Sequence, residues 1–252
     1  MHISIQSYGR PENVTDMLTT LSPYVPTWYV PESQAKDYEN HGANVRPVKE
    51  VVYPMKSYQN NLALEDGFAQ DKTVVCVDDD FKSSYSYERQ KLTLAETIDR
   101  MNEDFQKSRF KFGGCAGVSN CLFLTGKHKE FGNVIGGITF HKPHDLRYDV
   151  ELRHLEDLDM CIAQHLKYGG VHMDGLNAIE FKMVLTGKSR QTGGFGGLRE
   201  KNHDKTIEYF KNKYSDNPFI VFPDDSVHGD IIHEFIQWEK ISEAENTIER
   251  FF

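Results

Sequence analysis

The sequence predicts an α/β protein with a mainly parallel central sheet, flanking helices and a smaller mixed sheet. Short apolar, β-prone segments alternate with segments of helical spacing over the first 80 residues. One apolar run, Val74 to Val77, is short enough for a buried strand and ends abruptly in three aspartates. The 252 residues, 38% of them hydrophobic, suffice for one soluble domain with a substantial core.

The first half of the chain predicts four strands and three helices in alternation. We expect strands at His2–Gln6, Thr27–Val30, Val45–Val52 and Thr73–Val77, and helices at Glu12–Leu21, Tyr38–Gly42 and Tyr58–Phe68. Ligands of parallel sheets bind beyond the carboxyl ends of the strands. The loop Ser7–Arg10 and the triplet Asp78–Asp80 both follow strands, so we expect them to line one crevice.

The pattern beyond residue 90 is mixed. We expect helices at Leu92–Lys107, Leu155–Tyr168 and Thr206–Tyr214, strands at Phe112–Gly117, Asn120–Thr125, Val134–Phe140 and Phe219–Phe222, and a glycine-rich loop at Gly193–Gly197. Gly169 and Gly170 are expected to end the second of these helices. The chain shows no internal repeat or low-complexity linker, so it is expected to form a single domain over residues 1–252.

Charge and cysteine content limit the classes of partner and compartment. The formal charge is −9, from 29 basic and 38 acidic side chains, so a nucleic-acid partner would have to meet a local basic patch. The four cysteines lack zinc-binding spacing and are expected to be free thiols in a reducing cytoplasm. The polar opening residues and the lack of an apolar run of about 20 residues predict neither a signal peptide nor a membrane span.

The acidic triplet is the strongest candidate for chemistry. Adjacent carboxylates repel one another and do not suit the interior of a strand. At a strand end they can hold a hard cation such as Mg²⁺ or Mn²⁺ beside substrate phosphates, with Asp78 and Asp80 as ligands. The alternative is an acidic, solvated turn where the strand leaves the core.

A second acidic cluster lies at the start of the helix expected near residue 155. Its carboxylates Glu156 and Asp157 either cap the free amides of the helix or serve as a base that takes a proton from a hydroxyl. Asp159 is expected to be a structural cap or a solvated side chain.

Several basic and polar residues are candidates for contact with an anionic ligand. Arg10 lies between a strand and a helix, and Lys56, Gln59 and Asn60 lie at the front of the helix expected at Tyr58–Phe68. The segment Lys188–Arg199 combines glycines with positive charge, so it predicts either a lid over a diphosphate, with Arg199 as a contact, or an ordinary surface loop. His203 and His228 are candidates for additional metal ligands, with surface positions as the alternative.

Taken in order, these motifs resemble a GT-A glycosyltransferase with a GT-A-like, Rossmann-like sheet, over roughly residues 1–225. The features that carry the resemblance are Ser7-Tyr8-Gly9-Arg10-Pro11, the triplet after Val-Val-Cys-Val, Gly136-Gly137, Glu156-Asp157 and the basic glycine-rich loop. Within that class the chain is similar to the phage TET/JBP-associated glycosyltransferases. The shorter patterns behind this are Ser7-Tyr8-Gly9-Arg10, Trp28-Tyr29-Val30-Pro31-Glu32 with Tyr38, Gln59-Asn60-Asn61 and Gly193-Gly194.

The resemblance implies a donor, a cation and an acceptor. The first loop, with Ser7, Tyr8 and Arg10, would meet the base of a nucleotide-sugar donor, with UDP as the expected nucleotide. Asp78 and Asp80 would hold Mn²⁺ or Mg²⁺ on the diphosphate, and Asp79 would contact the donor sugar or ribose. Glu156-Asp157 would supply the base, with Asp157 as first choice. The acceptor would be a hydroxymethylated pyrimidine in phage DNA within the host cytoplasm, stacked on an aromatic side chain such as Tyr148, Phe195 or Trp238.

Other functions remain open at this point. A GT-A enzyme acting on a polysaccharide, protein, lipid or small molecule would carry the same motifs. A nucleotidyltransferase also pairs a strand-end acid with a metal, although Gly9-Arg10 is a poor version of its phosphate loop. A non-catalytic module that binds nucleotide sugars would use the acids only to line its cleft.

Overall fold

The computed structural model describes residues 1–50, 55–134, 137–152, 155–182, 196–220 and 236–243, with side chains in the last two ranges described for 205–220 and 236–241. The strands are β1 (His2–Gln6), β2 (Thr27–Pro31), β3 (Asn44–Val48), β4 (Val74–Asp78), β5 (Phe81–Ser86), β6 (Lys91–Leu92), β7 (Phe112–Cys115), β8 (Ile138–His141), β9 (His172–Asp174) and β10 (Asn177–Phe181). The helices are α1 (Val14–Leu21), α2 (Ala35–Asn40), α3 (Met55–Phe68), α4 (Leu94–Lys107), α5 (Glu156–Tyr168), α6 (Gly196–Lys213) and α7 (Trp238–Glu243).

The central sheet has the strand order β3-β2-β1-β4-β8-β7-β9. The four strands β3, β2, β1 and β4 are mutually parallel, β8 runs antiparallel to both of its neighbours, and β7 and β9 are parallel to each other. The α/β class with a mainly parallel central sheet is therefore confirmed. The first crossover goes from β1 to β2 on one side, whereas β4 joins β1 on the other, so the strand order reverses between β1 and β4.

Alternating side chains of the strands fill two cores on opposite faces of the sheet. Ile3 and Ile5 of β1 pack with α1 and α4 on one face. Val74 and Cys76 of β4 pack with α3 and α5 on the other face. This period of two explains why the run Val74 to Val77 is apolar throughout, since a strand covered on both faces presents no side to water.

A third core joins α5 to α6 and α7, and the buried Asp159 of α5 contacts one of its members, Tyr214. The Tyr214 hydroxyl donates to Asp159 Oδ1 at 2.5 Å, and the Lys213 ammonium lies 2.8 Å from the same oxygen. Asp159 is 3% exposed, so the expectation of a helix cap or a solvated side chain is wrong. Its carboxylate anchors α6 on α5 through a buried pairing.

A smaller antiparallel sheet, β10-β5-β6, starts directly after the acidic triplet. The sequence prediction omitted all three of its strands, and also β9 and α7. It predicted a strand at Asn120–Thr125, where the chain instead forms a 3₁₀ turn, Cys121–Phe123. The Asn120 side chain accepts the Leu122 N–H at 3.0 Å and so initiates this turn.

The remaining expectations have mixed outcomes. Gly169 ends α5 in the left-handed conformation, with φ of 71°, as predicted. Gly196 and Gly197 are helical within α6, and 193–195 lie outside the described residues. Of the strand expected at Phe219–Phe222, Ile220 forms an isolated bridge with Ile236 and 221–222 are not described.

The four cysteines are free, as predicted, and Cys121 alone among them is not buried. Among the described residues, no helix combines the length and apolar character needed to cross a membrane.

Candidate functional site

The candidate site lies at the carboxyl edge of the sheet, where the strand order reverses. Gln6 of β1 and Asp78 of β4 are register partners, so the two strands end side by side. The loop Ser7–Arg10 continues from one strand and the triplet from the other. A reversal of this kind opens the crevice in which doubly wound sheets bind their ligands. The predicted convergence of the loop and the triplet is confirmed.

Arg10 joins the loop to the triplet by two ion pairs. Its Nη2 lies 2.6 Å from Asp79 Oδ1, and its Nη1 lies 3.2 Å from Asp80 Oδ2. Burial opposes the charge on the guanidinium, but the three aspartates outweigh it and raise the pKa of Arg10 above its ordinary value. Arg10 is therefore a fixed positive charge at the carboxyl edge of the sheet, and its side chain is partly exposed.

Buried hydrogen bonds hold the loop Ser7–Arg10 in place. The Ser7 hydroxyl contacts Tyr38 Oη at 2.6 Å and donates to Asp79 Oδ2. The Arg10 N–H donates to Tyr38 Oη at 2.9 Å. Gln59 donates to the carbonyl oxygens of Ser7 at 2.9 Å and Tyr29 at 2.7 Å. These contacts fix both the backbone of the loop and the direction of the Arg10 side chain.

These contacts change the expected roles of Ser7, Gln59 and Asp79. All three were predicted to contact the donor, but they are buried and their polar groups are engaged within the protein. Burial raises the pKa of Asp79 to about 7, against the opposing effects of Arg10 and Ser7. We assign the three residues to positioning the loop, because a contact with a ligand would require breaking these bonds. Tyr38, for which no such role was predicted, completes the set, and no spacing signal links it to Ser7.

Lys56 joins the triplet to the second acidic cluster. Its Nζ lies 3.0 Å from Asp78 Oδ1 and 3.5 Å from Glu156 Oε1. Burial disfavours the ammonium, but Asp78, Glu156 and Asp157 outweigh that effect and raise the pKa of Lys56 above its ordinary value. Lys56 belongs to the first turn of α3, whose N-terminal end faces the carboxyl edge because the helix leads back into β4. One ammonium thus holds carboxylates from distant parts of the chain together.

The N-terminal end of α5 delivers Glu156 and Asp157 to the same edge. The residue before them, Leu155, has left-handed backbone angles (φ 65°, ψ 21°), a conformation that costs a non-glycine residue on the order of 1–3 kcal/mol. Carboxylates at this end of a helix are stabilised by its positive dipole end. Glu156 is buried beside Lys56, whereas Asp157 is partly exposed. Of the two, Asp157 is the more accessible to a second substrate.

The donor set at the cleft fits a hard divalent cation. The side chains of Asp78 and Asp80 are 31% and 20% exposed, so both are partly accessible at the carboxyl edge of the sheet. Burial, followed by the negative charge of Asp78, raises the pKa of Asp80. The acids of the triplet and of the α5 start outnumber the cations Arg10 and Lys56 that pair with them, and this excess of negative charge favours a further positive ligand.

Two protein carboxylates make only part of a coordination shell. Within the described residues, no three His, Cys, Asp or Glu side chains converge at a position suited to a metal. A cation on Asp78 and Asp80 would therefore complete its shell with water and ligand phosphate oxygens, as Mg²⁺ commonly does.

The other predicted site residues lie on the loop or in α3, are buried elsewhere, or fall outside the described side chains. Tyr8 is partly exposed on the loop. Asn60 lies one helical turn after Lys56, is buried, and leaves its Oδ1 without a hydrogen-bond partner within the described structure. Arg199 and His203 belong to the part of α6 whose side chains are not described, and His228 lies outside the described residues, as does Phe195. The prediction that Tyr148 stacks on an acceptor is contradicted, because Tyr148 is buried against His141.

Comparisons with known proteins do not assign this chain to a family. No protein-family model and no curated protein sequence matches the chain. A solved structure that resembles it belongs to an enzyme from Thermus thermophilus, described as mannose-1-phosphate geranyltransferase, with 13% identity and a TM-score of 0.37. The match covers 70% of this chain and 56% of that enzyme, so the chain spans little more than half of its length. At this level the likeness carries no argument about substrate or reaction.

Proposed function

We propose that this chain is a glycosyltransferase that moves a sugar from a nucleoside-diphosphate donor to a hydroxyl. The observation that carries the proposal is the pairing of Lys56 with both Asp78 and Glu156 at the strand-order reversal. It brings a carboxylate pair suited to a cation within reach of a second carboxylate pair suited to take a proton. A sugar transfer needs both: a neutralised diphosphate leaving group and a base for the acceptor.

The donor would lie across the loop and the triplet. Tyr8 and Arg10 present the accessible face of the loop to the nucleotide, while Ser7, Gln59 and Asp79 hold that face in place. Asp78 and Asp80 would hold Mn²⁺ or Mg²⁺. When bound, the cation supplies charge neutralisation for the leaving diphosphate. Lys56 and Arg10 add positive charge at the same point, which favours the transition state because negative charge develops on the leaving oxygen.

Asp157 is the proposed base. As the acceptor oxygen attacks the anomeric carbon, its proton passes to the Asp157 carboxylate. The bond between the anomeric carbon and the diphosphate oxygen breaks, and its electron pair leaves with the nucleoside diphosphate. Glu156, which is buried against Lys56, holds the ammonium in place and is the second choice for the base.

The narrower part of the proposal concerns UDP and DNA. The resemblance of the motifs to phage enzymes supports a UDP-sugar and a hydroxymethylated pyrimidine in DNA as acceptor. A base in a duplex would have to be flipped out of the stack to reach Asp157. With a charge of −9, contact with DNA would have to be local.

The test is transfer by the purified chain with Mn²⁺ and a panel of UDP-sugars, using duplexes with and without hydroxymethylcytosine and detecting the product by mass spectrometry. We expect product on the modified duplex, and we expect Asp80→Asn to abolish metal-dependent turnover. The control Asp16→Asn changes a carboxylate whose side chain is 76% exposed, and it should keep full activity. Binding of UDP-sugars without hydrolysis or transfer to any acceptor would contradict catalysis and favour a binding module. Transfer only to other acceptors would contradict the DNA assignment.

A further inference from the structure

We propose that Lys56 is a resident counter-ion that reserves Asp78 until a nucleoside diphosphate arrives, so that the divalent cation and the nucleotide bind cooperatively. The inference rests on the proposed function, since it assumes that both ligands use this cleft. It concerns a property that the proposed reaction does not require, namely the dependence of each ligand's affinity on the other.

The contact between Lys56 and Asp78 occupies an oxygen that a cation would need. Lys56 Nζ lies 3.0 Å from Asp78 Oδ1, which is hydrogen-bonding distance for an ammonium. A divalent cation on the same carboxylate would lie beside this positive charge and would be repelled by it. In the ligand-free protein the cation must therefore either displace the Lys56 ammonium or bind despite the electrostatic repulsion from it.

The Lys56 side chain is able to move its ammonium away from Asp78. Its side chain is 21% exposed, and its four-carbon stem lets Nζ move while α3 stays in place. A diphosphate offers several anionic oxygens to the three donors of the ammonium. It would also lie near the N-terminal end of α3, which favours negative charge. Once Nζ turns to the diphosphate, Asp78 is free for the cation, and the diphosphate can complete the shell of that cation.

Arg10 does not share this freedom. Its guanidinium pairs with the buried Asp79 at 2.6 Å and with Asp80 at 3.2 Å. The backbone N–H of Arg10 donates to Tyr38 Oη. A planar group held at several points loses more by moving than an ammonium on a flexible stem. The coupling between cation and nucleotide is therefore assigned to Lys56 and not to Arg10.

Thermodynamic linkage makes the effect reciprocal. If the nucleotide raises the affinity for the cation by some factor, the cation raises the affinity for the nucleotide by the same factor, typically about 5- to 150-fold. In a variant without the ammonium, Asp78 is free from the start. Such a variant should bind the cation more tightly on its own, bind the nucleotide less tightly, and show little coupling.

The experiment measures binding by titration calorimetry, with MnCl₂ alone, UDP alone, and UDP at saturating Mn²⁺. Lys56→Met removes the charge at similar length, and Lys56→Gln keeps a hydrogen-bond donor without the charge, in case Met disturbs the cleft. Lys36→Met is the matched control, because the Lys36 side chain is 80% exposed and pairs with Glu39 at the surface. Circular dichroism establishes that each variant is folded.

For the unchanged protein we expect weak Mn²⁺ binding that UDP strengthens roughly 5- to 150-fold. Both Lys56 variants should bind Mn²⁺ alone about tenfold more tightly and show coupling near unity, while Lys36→Met behaves like the unchanged protein. Unchanged or weaker Mn²⁺ binding in both Lys56 variants would overturn the inference, as would coupling that persists in them. If UDP binds to none of the proteins, the proposed donor fails, and the Mn²⁺ titrations still decide the role of Lys56.

Discussion

Tyr38 Oη lies 2.6 Å from Ser7 Oγ, and this contact ties α2 to the loop that follows β1. The same phenol accepts the N–H of Arg10, so the loop is held at both its first and its fourth residue. Tyr38 is fully buried, so a ligand in the cleft would not reach it. The position of the Arg10 charge in the cleft thus depends on a side chain that a ligand would not touch.

We therefore predict that Tyr38→Phe weakens both stability and nucleotide binding. The change keeps the ring but leaves the Arg10 N–H without its acceptor, at a cost of about 1–3 kcal/mol. Urea unfolding and UDP titration measure the two effects. Tyr24→Phe is the control, since Tyr24 donates to Asp99 at the surface, where the loss should be smaller. Equal losses in the two variants would contradict a special role for Tyr38.

Substitutions of the two acids at the start of α5 should affect different steps, one the transfer rate and the other UDP binding. We predict that Asp157→Asn keeps UDP binding in Mn²⁺ but lowers the transfer rate about 10²- to 10⁴-fold, the usual contribution of a positioned base. Glu156→Gln should instead change UDP binding, because it releases Lys56 from one of its two partners. Steady-state transfer and calorimetry distinguish the two. Full transfer by Asp157→Asn, or retention of configuration at the anomeric carbon, would remove Asp157 from the role of base.

Asp159 should matter for stability alone. Asp159→Asn weakens a buried acceptor of both Tyr214 and Lys213, and we expect a loss of roughly 1–3 kcal/mol in the free energy of unfolding. Asp145→Asn is a close control, because Asp145 also pairs with a lysine and a tyrosine, Lys167 and Tyr168, but at the surface. That variant should lose much less stability, because water screens an exposed ion pair. Loss of UDP binding by folded Asp159→Asn would contradict a purely structural role.

Because His165 is buried, we predict that the protein loses stability in acid. The Nε2 of this histidine accepts the Gly132 N–H at 3.3 Å and its Nδ1 lies 2.7 Å from the Cys161 carbonyl oxygen, so the neutral ring carries its hydrogen on Nδ1. Burial lowers the pKa of His165 from 6.5 to about 4. The unfolded state therefore takes up the proton first, and the free energy of unfolding falls as the pH drops from 6.5 to 4, by up to about 1.4 kcal/mol per pH unit.

The variant His165→Gln should remove this share of the pH dependence. Urea unfolding at several pH values between about 7 and about 4.5 measures the slope. His41→Gln, which changes an exposed histidine, should keep the slope of the unchanged protein. An unaltered slope in His165→Gln would show that the proton uptake lies elsewhere.

Local pattern was enough to predict the parallel half of the sheet and the meeting of the two strand ends. Val74–Val77 is a compact apolar run, and the other three strands are short β-prone segments between helical ones. The rule for strand ends then places Arg10 beside Asp80. The small sheet escaped prediction because β5 contains three serines in six residues, and its pairing with β10 is not local. Asn120–Thr125 was mistaken for a strand because its apolar residues outweighed the turn chemistry of Asn120, although Leu122 and Phe123 prove to be exposed.

The pairing of Lys56 with Glu156, by contrast, could not be predicted from local pattern. Lys56 was a candidate for the donor pocket, and Glu156 was a candidate base, but no spacing in the sequence connects them. Their meeting follows from the directions of α3 and α5, whose N-terminal ends both reach the carboxyl edge. The burial of Asp79 could not be predicted either, because three adjacent aspartates look alike until the fold orients them.

The antiparallel strand β8 has a consequence for synthesis of the protein. It covers the edge of β4 opposite β1, and its residues follow those of β4 by some sixty positions, with Val77 beside Ile138. While the ribosome is still making the intervening segment, β4 would present an edge of unpaired backbone N–H and C=O groups to other nascent chains. Misassembly at that edge is the hazard of this topology. Chaperone demand should therefore be greatest after β4 has emerged and before β8 has.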